Sequence, residues 1–292
     1  SERARPLAAP SLAPYARPVA QKPGARWPID ESIVRDLLRS AGLTNLQDLP
    51  LAHVADGWDC SVWRLADRLA VRVPRRELAL PLVRHEQQQL PAIAERLAPT
   101  GIRIPSPVVS GMPTDAFPAP WSVVPWFDGE PGLRVPRAER GGWAAPLALA
   151  LRALHVPAVG AYPRNPVRGR PLATRGDAVA ERIATLRSAG TVAGPRLDRL
   201  AALWQAALDA AEWDAAPVWI HGDLHPGNVI ARGDELVALI DFGDITAGDP
   251  AYDLAIAWLA FDDDARAVFR GELGDAYDDA TWVRARGWAA AD

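Results

Sequence analysis

The stretch that most restricts what this chain can fold into runs from Val218 to Asp244: VWIHGDLHPGNVIARGDELVALIDFGD. An apolar run, Val218 to Ile220, stops at a histidine, and the polar loop HGDLHPGN follows. Two further apolar runs flank the turn ARGDE. Apolar runs joined by so short a polar turn predict a β-hairpin. Asp223 and Asn228 are five residues apart, and Asp241 lies thirteen residues beyond Asn228. A hairpin across that interval returns Asp241 to the loop that holds Asp223 and Asn228.

Two carboxylates and an amide then converge. Oxygen donors of this kind suit a hard cation such as Mg²⁺, which keeps waters and also takes phosphate oxygens. With Asn228 and Asp241 on the metal, Asp223 is left to accept a proton from a hydroxyl. A metal to neutralise phosphates and a base to orient a nucleophile are the requirements of phosphoryl transfer. His221 and His225 are spaced as two zinc ligands on a helix would be. Gly222, Pro226 and Gly227 argue against helix there, so both are expected to shape the loop.

The rest of the chain reads as an α+β protein. Residues 1 to 28 carry five prolines ahead of Pro28 and no apolar period, which predicts a poorly ordered arm. Asp30 can cap a helix whose apolar face is Ile33, Val34, Leu37 and Leu38, with Gly42 to end it. Alternation predicts strands over about 51–56, 61–66 and 68–73, the last two in a tight hairpin. A helix through Leu82, Val83, Glu86 and Leu90 should start near Pro81 and kink or restart at Pro91. WSVVPWFDGEPG reads as a short strand running into a Pro/Gly linker. Beyond residue 130 helices dominate, at about 137–154, 175–188, 196–212, 250–260 and 263–273, with a Pro/Arg/Gly-rich connection over 156–174. This predicts a small β-rich N-lobe over 29–125, a hinge, and a larger helical C-lobe over 126–292.

HGDLHPGN, IDFGD and GDPAYDLA, in this order and in this half of the chain, resemble the aminoglycoside phosphotransferase family, a kinase-like group of small-molecule phosphotransferases. The resemblance spans roughly residues 30 to 292. It implies a two-lobed protein-kinase-like fold with Asp223 as catalytic base and Asn228 and Asp241 on the metal. His221 would hold the loop, and Asp249 and Asp253 would fix it and open the next helix. In the N-lobe, the DGWDCS turn would cover the nucleotide phosphates. Arg72 would pair with the α- and β-phosphates, held by Glu86, and the hinge at Pro125, Trp126 and Phe127 would offer backbone groups to the base. Two departures stand out. Arg72 replaces the usual lysine in a chain whose one lysine is Lys22, and DGWDCS has a single glycine. Family members usually continue with more helix beyond ARGWAAAD.

Other classes lack support. A net charge of −4 does not suit a nucleic-acid binder that relies on a basic face. No apolar run approaches the length of a membrane span, and no secretory signal pattern is visible. Cys60 is the only cysteine, so neither a disulfide framework nor a cysteine zinc site can form within the chain. There is no G-x-S-x-G, no H-E-x-x-H and no P-loop. The run Asp262–Asp264 is expected to cap a helix, and Trp121, Trp126, Trp219 and Trp258 to pack in the core or hinge. The expectation is a cytoplasmic ATP- or GTP-dependent, Mg²⁺-dependent phosphotransferase, monomeric or homodimeric, acting on a small-molecule hydroxyl. An antibiotic of aminoglycoside, macrolide or nucleoside type is the first acceptor class. The alternatives are a metabolic acceptor (an amino alcohol, a sugar or a homoserine-like compound) or a catalytically dead nucleotide-binding module.

Overall fold

The computed structural model describes residues 24–291. Most of the expected arm lies outside them. Its last residues are held against the N-lobe: Trp27 packs edge-on against Phe117, and the Arg26 N–H donates to the Arg75 carbonyl.

Helix α1 (Glu31–Ser40) starts where the sequence predicts, with the Asp30 carboxylate accepting from the Ile33 N–H at 3.0 Å. Gly42 follows with φ +71 and donates back to Arg39, a left-handed exit that glycine adopts without strain. Next come β1 (Leu51–Asp56), β2 (Cys60–Leu65) and β3 (Leu69–Pro74). After them lie α2 (Leu80–Leu97), β4 (Val109–Gly111) and β5 (Trp121–Pro125). The strands form one antiparallel sheet in the order β1-β2-β3-β5-β4. Alternation sorts its faces. Trp63, Leu65, Val71, Val73 and Val123 join Val34, Leu37 and Leu38 of α1 in one buried cluster. Arg72 and Ser122, paired in register, face α2 instead, where Glu86 meets Arg72 and Gln87 bonds Ser122. Helix α2 runs unbroken through Pro91, without the expected restart. Pro91 is on the exposed side, where water can satisfy the carbonyl of Gln87 that loses its partner.

The C-lobe begins with β6 (Glu130–Pro131) and α3 (Ala144–Leu154). The helix expected from 137 opens instead as two 3-10 turns around Gly141 and Gly142. A Cβ on Gly142 would lie 2.3 Å from the Asp234 carbonyl, so the close approach requires glycine. Helices α4 (Gly176–Ala189) and α5 (Gly194–Asp209) follow, then β7 (Val218–Ile220), β8 (Val229–Arg232), β9 (Glu235–Leu239) and β10 (Thr246–Gly248). The segment expected as one helix over 250–260 is two, α6 (Ala251–Leu254) and α7 (Ile256–Ala260). Helix α8 (Asp263–Leu273) is capped by Asp262 as expected, and α9 (Asp279–Ala291) ends the described chain. In the C-lobe, β6-β8-β9 make one small sheet and β7-β10 another. Strands β4, β6 and β10, of three, two and three residues, are too short to show alternation in sequence. The larger core is built here from α3, α5 and α7–α9, with Trp143, Trp204, Phe261 and Phe269 among its buried side chains. The result is an α+β, two-lobed, protein-kinase-like fold. No helix among the described residues is long and apolar enough to cross a membrane.

Candidate active site

The HGDLHPGN loop leaves β7, whose three residues are all buried. Its first turn is clamped by Asp253 on α6, a side chain with no exposure. That carboxylate accepts from the N–H of His221 at 2.6 Å and of Gly222 at 3.0 Å. It also lies 3.2 Å from Nε2 of His155, whose Nδ1 meets the Tyr277 hydroxyl at 2.7 Å. Gly222 has φ +83, and a Cβ there would lie 2.4 Å from the Asp244 carbonyl. Nε2 of His221 is 2.9 Å from the Ile240 carbonyl, and its Nδ1 accepts from the Asp223 N–H at 3.3 Å. These partners assign a neutral ring protonated at Nε2. His221 thus ties the loop to the strand that leads to Asp241. Asp249 acts elsewhere: it caps the Ala251 N–H at 2.9 Å and pairs with Arg284 of α9 at 2.7 Å. The expected division of labour is therefore split, with Asp253 holding the loop and Asp249 opening the helix.

Asp223, Asn228 and Asp241 come together through the hairpin. The Ile240 N–H donates to the Asn228 carbonyl at 2.9 Å, one step beyond the Val229–Leu239 pair, so the next residue, Asp241, starts beside Asn228. Asn228 is 7% exposed, and its Nδ2 donates to the Asp223 carbonyl at 2.8 Å and to Oδ2 at 3.2 Å. With the nitrogen so committed, the amide oxygen is left for another partner. His225 shapes the turn by accepting from the Gly227 N–H at 3.0 Å. Asp241 has φ +62, a left-handed conformation that aspartate tolerates better than most residues, and its side chain is exposed. Among the described residues no group of three or more His, Cys, Asp or Glu is arranged to hold a metal. Asn228 and Asp241 offer few, purely oxygen ligands. Such a set fits Mg²⁺, which takes its remaining ligands from phosphate and water, and would not suit zinc.

Across the cleft, Arg72 of β3 donates to Oε1 of Glu86 at 2.7 Å and lies 3.9 Å from Asp241. Burial opposes the Arg72 charge, but the carboxylates of Glu86 and Asp241 outweigh it and push its pKa up. The β1–β2 turn is tight around Gly57, whose N–H donates to the Cys60 carbonyl at 2.7 Å. Arg75 braces the same turn through the Gly57 carbonyl, and Arg76 through Asp59. Cys60 is buried, and burial pushes its thiol up to about 12, so it is not a reactive thiolate. In the hinge, Pro125 has no N–H and the Trp126 N–H is committed to the Arg68 carbonyl at 2.7 Å. Phe127 is buried against Val237 and Ala238. The hinge's remaining backbone donor is therefore the Phe127 N–H, with the carbonyls as acceptors.

One group at the centre of the site went unread in the sequence. Arg168, from the Pro/Arg/Gly-rich connection, donates through Nη2 to Oδ1 of Asp223 at 2.8 Å and through Nε to Asp244 at 3.2 Å. It also hydrogen-bonds the Tyr252 hydroxyl and lies over that ring, 5.4 Å from its centroid. Asn165 braces the arrangement, donating to Asp244 at 2.7 Å and accepting from the Arg168 N–H at 2.9 Å. Burial pushes the Asp223 carboxyl up, but the His225 hydrogen bond and the charge of Arg168 outweigh it and hold its pKa below the usual value. The only sequence signal was local. Asn165 followed by Arg168 and a positive-φ Gly169 describes a turn, which says nothing of what Arg168 reaches.

A family model described as phosphotransferase enzyme family matches residues 51–288. A search of curated proteins finds no match. Among solved structures, the chain is similar to the GDP complex of wild-type aminoglycoside 2'-phosphotransferase-IIIa, with TM-score 0.62 and 17% identity over 90% of this chain and 88% of that one. It is also similar to the apoenzyme of macrolide 2'-phosphotransferase MphH from Brachybacterium faecium, with TM-score 0.61 and 21% identity over 90% and 88%. A third is the GDP and kanamycin complex of APH(2")-IIIa, with TM-score 0.56 and 18% identity over 85% and 86%.

Proposed function

The chain belongs to the phosphotransferase enzyme family, and from that premise we propose that it moves the γ-phosphate of a nucleoside triphosphate to a hydroxyl of a small molecule. The observation that carries this is the meeting of Asp223, Asn228 and Asp241 at one end of a hairpin, facing the Arg72–Glu86 pair. The nucleotide binds between the lobes, with Arg72 gripping its α- and β-phosphates. Asn228 and Asp241 would hold Mg²⁺, which would supply neutralisation of phosphate charge. Asp223 orients the acceptor hydroxyl in line with the γ-phosphorus and takes its proton. The acceptor oxygen forms the new P–O bond, the bond from the γ-phosphorus to the bridging oxygen breaks, and nucleoside diphosphate leaves. Positioning and charge neutralisation supply most of the rate. The nucleotide complexes of similar structures support this assignment.

An antibiotic acceptor is supported by the similar structures, one a kanamycin complex and another a macrolide 2'-phosphotransferase. Among antibiotics a polycationic aminoglycoside suits this chain least. The cleft beside Asp223 is lined by Arg168, Arg175 and Arg182, and Asp223 is its one carboxylate among the described residues. That observation favours a second reading in which the acceptor is a metabolite or a non-cationic antibiotic. The test is a screen for nucleotide consumption with Mg²⁺ against hydroxyl-bearing antibiotics and metabolites, with the phosphorylated product identified by mass spectrometry. Folded protein that binds nucleotide yet phosphorylates no acceptor would favour the binding-module reading.

A further inference from the structure

The acceptor side of Asp223 is a cleft formed wholly by C-lobe residues. Arg175 ends the 3-10 turn Leu172–Arg175 that leads into α4. Arg175, Ala178, Val179 and Arg182 all line the cleft. Their spacing of three, four and seven residues is one helix face, so α4 lays a basic edge along one wall. Tyr252, Leu259 and Trp288 contribute apolar and aromatic lining. Arg168 lines the same cleft, bonded to Asp223.

The charges do not balance. Among the described residues, three guanidinium groups line this cleft against the single carboxylate of Asp223. That carboxylate is already paired with Arg168, and Arg168 is paired in addition with Asp244 just outside. Arg182 is engaged, donating to the Ala291 carbonyl at 3.2 Å. The Arg175 side chain has no hydrogen-bond or ion-pair partner among the described residues. Arg168 is fixed by Asp223, Asp244 and Tyr252 before any ligand arrives, so little of its freedom is lost on binding. Each of its terminal nitrogens carries two N–H groups, so it can keep these partners and still donate outward. A half-buried cleft weights such charges more heavily than open water does.

We infer that the acceptor carries an anionic group, a carboxylate or a phosphate, close to the hydroxyl that is phosphorylated, and that Arg168 and Arg175 bind it. This rests on the phosphotransferase reading above and specifies its acceptor. The fork of a guanidinium matches both anions in two parallel hydrogen bonds. An anion held there sets the neighbouring hydroxyl against Asp223, which takes its proton as the oxygen accepts the phosphoryl group. The same arginines repel a polyamine.

Acceptor pairs that differ mainly in charge test this: gluconate against glucose, glycerate against glycerol, and a nucleoside 5'-monophosphate against its nucleoside, with kanamycin as the polycation. Product is read by mass spectrometry with Mg²⁺ and ATP or GTP. Binding of each compound to the enzyme with Mg²⁺ and a non-hydrolysable triphosphate is read by calorimetry. At least one anion is expected to bind, and to be phosphorylated, about tenfold better than its neutral partner, the scale of one charge-assisted hydrogen bond. Arg175→Ala should raise the KM for that anion about tenfold with kcat within about twofold, a loss of uniform binding, and Arg175→Lys should restore part of it. Preference for kanamycin or for the neutral partners overturns the inference and leaves the phosphotransferase reading intact. So does failure of every anion to bind the nucleotide-loaded enzyme, or an anion preference that survives Arg175→Ala. Failure to bind either triphosphate removes the reading and the inference together.

Discussion

Nη2 of Arg168 lies 2.8 Å from Oδ1 of Asp223, so the carboxylate assigned as base is held by a guanidinium 55 residues away in sequence. A permanent positive charge at that distance favours the ionised carboxyl, in the direction its pKa takes. The base form exists above that depressed pKa, so kcat/KM should fall as pH drops through it. Arg168→Ala removes one of the charges that depress it, and the acid limb of the pH profile should move to higher pH. A limb that stays in place, measured on an acceptor both enzymes turn over, would show that Asp223 is set by His225 instead.

Asp223→Ala should lower kcat by about 10²- to 10⁴-fold, the usual contribution of a positioned proton acceptor. Nucleotide affinity should hold, because Arg72, Asn228 and Asp241 are untouched. Paired turnover and nucleotide-binding measurements check this, and near-normal turnover would remove Asp223 from the role.

Arg72→Ala should weaken nucleotide binding and also destabilise the fold. It strands the carboxylate of Glu86, which is 4% exposed, and an unpaired buried charge costs about 3–5 kcal/mol. Arg72→Met with Glu86→Leu should recover much of the stability but not the nucleotide affinity. Thermal unfolding beside nucleotide titration separates the two effects. Unchanged affinity in Arg72→Ala would make the residue structural.

Asp241→Asn should leave the melting temperature close to that of the parent, since asparagine also tolerates a φ of +62 and the side chain is exposed. Its activity should fall and need more Mg²⁺. Asp253→Ala should do the reverse, losing at least about 2 kcal/mol because two buried N–H groups lose their acceptor. A Mg²⁺ titration of turnover and a melting curve on both variants distinguish a metal position from a loop clamp. Equal effects of the two changes on stability would contradict the division.

Much of the frame was legible because it is local. The Asp30 cap, the exit at Gly42 and the alternation of β2 and β3 each arise within a few residues. Elements set by contacts with distant chain were not legible. Helix α3 starts late because Gly142 lies against Asp234, and α2 continues through Pro91 because that position faces solvent. Asp249 finds its partner Arg284 on a helix 35 residues further on. Arg168 sits in a segment with no periodicity at all, so composition marked it as connection.

The sequence by itself determined that Asp223, Asn228 and Asp241 meet. Asp223, Asn228 and Asp241 are separated by one loop and one hairpin, and hairpin register alone brings them together. Only the tertiary structure decided their surroundings: the guanidinium on Asp223, the buried clamp of Asp253, and the basic wall that α4 turns toward the base. Those contacts join segments 31 to 55 residues apart, from Gly222–Asp253 to Arg168–Asp223. The packing of whole helices sets them, and no short-range pattern encodes it.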